Sequence, residues 1–181
     1  MNPQSLYSLA SALLTGVITL LAVNLTNKAN YKKLLRETDI EKEFKTNEIL
    51  REKLEELYVL FSKWITFQCG YWLPYHKVML GEISYNQAHD INLKREKKND
   101  DFERIEMLVD LYFPTLRKEY EDLISTQDKV NQILSEHKRG YKKGDADGLK
   151  FASLFLDEQN VLFKKSDCLK KNIINLQKLK S

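Results

Sequence analysis

LYSLASALLTGVITLLAVNL, residues 6–25, decides how the rest of the chain is read. It holds no charged side chain, and none occurs before Lys28. As an α-helix, roughly 20 such residues span about 30 Å, the thickness of a bilayer's hydrocarbon core. The stretch therefore reads as an N-terminal transmembrane anchor over residues 1–27. A cleaved leader fits less well, because MNPQS has no Lys or Arg and Ala22-Val23-Asn24 is a poor small-x-small cleavage site. Lys28, Lys32, Lys33 and Arg36 follow the run, with no acidic residue until Glu37. The positive-inside rule then predicts a single-pass protein of a bacterial inner membrane, N-terminus outside and C-terminal domain cytoplasmic. The same four cations are candidate contacts for lipid headgroups. Ser8, Ala12 and Gly16 recur every four residues, a spacing that lets two membrane helices pack closely.

Beyond the run, a juxtamembrane helical connector is expected over 28–48 and a helical bundle over 49–181. Charged residues make up 30% of the chain, with only six glycines and three prolines, a punctuation too lean for a β-fold. Leu50, Leu54, Leu57, Phe61 and Trp64 fall at alternating four- and three-residue steps, a seam of the coiled-coil or bundle kind. Gly70 and Pro74 are expected to end that helix. Ser84 with Gln87 has the form of a capping box that restarts one. A further helix is expected from about residue 102 to 138, with Ile105, Leu108, Val109, Tyr112, Leu116, Tyr120, Leu123 and Ile124 along one face and Val130, Ile133 and Leu134 extending it. Pro114 either kinks that helix or splits it. Gly140 to Gly148 is a loop, and Asp145 or Asp147 caps a last helix. The fold expected is all-α: one transmembrane helix followed by an antiparallel bundle of three to four long helices.

Charge excludes little. The balance of 29 basic against 26 acidic residues, net +3, gives no basis for nucleic-acid binding. The histidines, His76, His89 and His137, belong to neither Glu-x-x-His nor His-Glu-x-x-His. Asp145-Ala146-Asp147-Gly148 fails as a calcium loop, since its twelfth position is Leu156. No nucleotide-binding glycine loop occurs, and neither Cys69 nor Cys168 has a base held beside it by a recognisable motif. No catalytic residue, metal, cofactor or small-molecule substrate is assigned, and the chain is expected to be non-enzymatic.

The richest local feature is aromatic: Trp64, Phe67, Tyr71, Trp72 and Tyr75. These rings either cap the bundle core or, as Trp64, Tyr71, Trp72 and Tyr75, form a docking patch for a partner. The function expected is a membrane-anchored helical scaffold that binds a protein partner or a second copy of itself. The alternative is a membrane-acting effector, a small toxin or defence component, whose span oligomerises and perturbs the bilayer.

Overall fold

A computed structural model describes the backbone of residues 3–95, 100–144 and 147–178, and the side chains of 14–16, 18–95, 102–144 and 147–178. The chain divides into two units, Met1–Glu48 and Ile49–Ser181. Among the described residues all regular structure is helical: α1 (Pro3–Met79), α2 (Tyr85–Leu93), α3 (Asp100–Tyr112), a 3₁₀ turn (Pro114–Leu116), α4 (Arg117–Lys143) and α5 (Gly148–Lys178).

In the first unit α1 is sustained by local bonds. Thr19, Thr38 and Thr46 hydroxyls donate to carbonyls one turn back, and Lys45 pairs with Glu41 at 2.8 Å. The apolar side chains described in this unit are all exposed, Leu20 at 72% and Phe44 at 71%. Among the described residues, no helix is long and apolar enough to cross a membrane. The transmembrane helix, the single-pass topology and the outside-to-cytoplasm orientation all lose their basis. Ser8 and Ala12 lie outside the described side chains, whereas Gly16 faces open space.

The second unit is a bundle. Residues 49–79 of α1 run one way, and α2 and α3 return along them. Asn92 Nδ2 donates to the Tyr71 carbonyl at 3.0 Å, and Arg104 Nε meets Glu56 at 2.6 Å. α4 runs up again, with Trp72 Nε1 donating to Asn131 Oδ1 at 3.1 Å. α5 runs down, from Phe155 edge-on to Trp72 to Gln177 near Glu55. The predicted seam is largely the core: Leu54, Leu57, Phe61 and Trp64 are buried with Ile105, Leu108, Leu123, Phe155 and Leu162.

Two helix ends lie beyond where the sequence places them, those of α1 and α4. Helix α4 keeps Gly140 inside it and runs to Lys143, closing on Gly144 at φ 74°, so the loop expected over 140–148 starts only there. α1 does not end at Gly70 or Pro74 but continues to Met79. A proline inside a helix costs about 3 kcal/mol. Trp72, Val78 and Met79 are all at least 97% buried on either side of it, and at about 1.5–3 kcal/mol each they outweigh that cost. The helix stops instead at Gly81, whose φ of 74° is the left-handed conformation that closes a helix. Glu82 N–H donates there to the Lys77 carbonyl. Ser84 and Gln87 then cap α2 reciprocally, as their spacing predicts. At Pro114 the second of the two alternatives holds, and the helix splits. Phe113 leaves the helical region at φ −133°, and the 3₁₀ turn makes a corner, so the apolar positions read as one helix belong to two. Arg117 clamps the corner, bonding Asp110 of α3 and Glu121 of its own helix. Asp147 caps α5, accepting from Lys150 N–H at 3.0 Å.

Candidate interaction site

The aromatic cluster of α1 is divided by the packing of the bundle. Trp64 and Trp72 point into the core, 5% and 0% exposed. Tyr71 and Tyr75, on the adjacent strip of the helix, line a cleft of about 460 Å³ with Gln68. Its other walls are Tyr85 of α2 and Gln127, Asn131, Leu134, Ser135 and Lys138 of α4. A second cleft of about 330 Å³ adjoins it across Gln68 and Gln127, lined also by Trp64, Phe67, Phe102, Glu103, Ile124 and Asp128. Helical periodicity builds this. Residues 64, 67, 68, 71 and 75 of α1 share a face, as do 124, 127, 128, 131, 135 and 138 of α4. Where the two helices meet, these faces leave a groove.

Tyrosine chemistry dominates the wider end. Tyr71 and Tyr75 pack edge to face at 5.5 Å, and Tyr75 and Tyr85 lie 6.0 Å apart. Burial pushes the Tyr71 and Tyr85 hydroxyls above their ordinary pKa, and neighbouring tyrosines add to it. Tyr85 therefore keeps its proton, and its hydroxyl lies 2.7 Å from His137 Nδ1. His137 is 1% exposed, with Phe151 of α5 at 5.3 Å from its ring, and burial holds its pKa below the usual histidine value. A neutral His137 protonated on Nε2 accepts from Tyr85 at Nδ1. The pair fixes the groove wall that α2 contributes. His76, half-buried, stacks on Phe155 at 5.3 Å, and its pKa is likewise lowered by burial, with Glu82 opposing. His89 is exposed.

Among the described residues, no three His, Cys, Asp or Glu side chains gather where they could hold a metal ion. Cys69 is half-buried, Cys168 exposed, and both are free thiols. Lys28, Lys32, Lys33 and Arg36 are exposed on the first unit, with Lys33 3.8 Å from Glu37.

The groove's α1 half is visible in the sequence as clustered aromatics. Tyr85, Gln127, Asn131 and Lys138 are not, because only the return of α2 and α4 brings them beside α1. The one local signal for α4 is its run of uncharged polar positions at helical spacing beside an apolar stripe. In comparisons with known proteins, no family model, curated protein or solved structure matches this chain.

Proposed function

We propose that the chain is a non-enzymatic helical interaction module that binds a protein segment, from a partner or from a second copy of itself, in the groove between α1 and α4. The observation that carries this is the adjoining pair of clefts with half-buried tyrosines along one edge. Tyrosine offers large contact area with little side-chain entropy to lose, and it is enriched where proteins dock. The combined space lies in the range of natural binding clefts.

A photo-crosslinking residue at position 71 or 127, in the full chain in cells, should give a discrete adduct that Tyr75→Ala removes. An adduct of twice the chain's mass identifies self-association; any other discrete mass identifies a partner. Equal adducts from position 111, on the exposed side of α3, would sink the proposal.

A further inference from the structure

We infer that the occupant of the groove is an extended peptide segment carrying a basic side chain and, four or five residues away, an acidic one. This rests on the groove being the docking site. The first support is the chemistry of its floor. Among the described residues, no hydrogen bond engages the side chains of Gln68, Gln127 or Ser135. Asn131 uses its carbonyl on Trp72 and keeps its amide donors. A helical ligand satisfies its own backbone and would leave these groups without work. An extended chain presents an N–H and a C=O at every residue, which amide side chains match in both senses.

The second support is charge. Lys138 stands at the tyrosine end of the groove. Glu103 and Asp128 stand at the other. None of the three is in an ion pair among the described residues. Positions 128 and 138 lie ten residues apart on α4, about 15 Å of helix. An extended chain covers that in four or five residues at about 3.3 Å each. A basic ligand side chain at the Glu103–Asp128 end and an acidic one at Lys138 would then both be met, with tyrosines packing the residues between.

The test pans a phage library of random nine-residue peptides on the immobilised full chain. Binders are rescreened on Tyr75→Ala, and the strongest groove-dependent one is synthesised. Enriched sequences should carry Lys or Arg four or five positions from Asp or Glu. Lys138→Glu should weaken the synthetic peptide at least tenfold, and changing the peptide's acid to Lys should restore it. Asp128→Lys with the peptide's base changed to Glu gives the same exchange at the other end. Should Lys138→Glu disturb the fold, by its urea midpoint, this second exchange decides. Groove-dependent binders without the charge pair, or exchanges that restore nothing, overturn the inference and leave the docking site standing. A library yielding no binder sensitive to Tyr75→Ala overturns both.

Discussion

The two units share a helix and use it in opposite ways. In Met1–Glu48, α1 exposes nearly every large apolar side chain described: Leu14 at 66%, Leu34 at 60%, Phe44 at 71%. In Ile49–Ser181 the same helix buries Leu57, Phe61 and Trp72 to 1% or less. Residue type does not separate them, since both stretches carry Leu, Ile, Phe and Tyr. Register does. From Leu50 to Trp64 the apolar positions hold one stripe at four- and three-residue steps. Between residues 31 and 44 the exposed ones wander: Tyr31, Leu34 and Leu35 sit on one side of the helix, Ile40 and Phe44 on nearly the opposite side. A stripe can be covered by two or three neighbouring helices, whereas a wandering set cannot. The first unit's helicity draws on i,i+4 pairs worth about 0.3–0.5 kcal/mol each, and the second's on buried side chains worth several times that.

The contrast can be broken by mutation. Trp72→Ala removes a side chain with no exposure, packed on Phe155 and bonded to Asn131, and should cost about 3–5 kcal/mol in urea unfolding. Gly148→Ala comes next, at about 1–3 kcal/mol. A methyl there would collide with the Met79 carbonyl oxygen, and neither backbone can yield cheaply. Acidification has a smaller effect of fixed sign. His137 and His76 have folded pKa values below the ordinary 6.5, so the unfolded chain takes up protons first. Their contribution is complete above about pH 6.5 and is lost as pH falls through the lower folded values. Glu56, held at about 2 by Arg104 and then Lys53, adds its own loss only below its ordinary 4.5. Urea midpoints at pH 7.5 and 5.0 therefore isolate the histidines, and His137→Gln, which keeps an acceptor for Tyr85, should shrink the difference. Equal pH responses in the two proteins would refute the assignment. Smallest of all, Phe44→Ala should move the midpoint by no more than about 0.5 kcal/mol. A cost near that of Trp72→Ala would show that the first unit buries what it is described as exposing.

Local signals carried much of the fold. The seam from Leu54 to Trp64 is core because its spacing fits one face of a helix and nothing interrupts it. The Ser84–Gln87 box and the Asp147 cap are made by residues three apart, and local chemistry suffices for them. Pro74 is expected to end its helix and Pro114 to kink or split one; Pro74 lies inside α1, and at Pro114 the helix splits. Both are flanked by buried side chains, so residue type and local burial alone do not separate them. The run at 6–25 reads as a span from its length and lack of charge, whereas among the described residues no helix is long and apolar enough to cross a membrane. For the groove, α1's aromatics could be found but not sorted, since whether Trp72 or Tyr71 faces the core depends on where α4 and α5 lie.

Helix α2 has nine residues, and Ala88 is its one buried side chain. It is held by its cap, the Asn92 bond to Tyr71, and Tyr85 on His137. Segments secured by so few contacts open at free energies well below global unfolding. Through Tyr85, one wall of the groove therefore belongs to a short segment held by few contacts. An affinity measured there is the product of two quantities, the intrinsic fit and the fraction of molecules with α2 docked. A substitution in α2 that touches no ligand can therefore change binding as much as one in the groove itself.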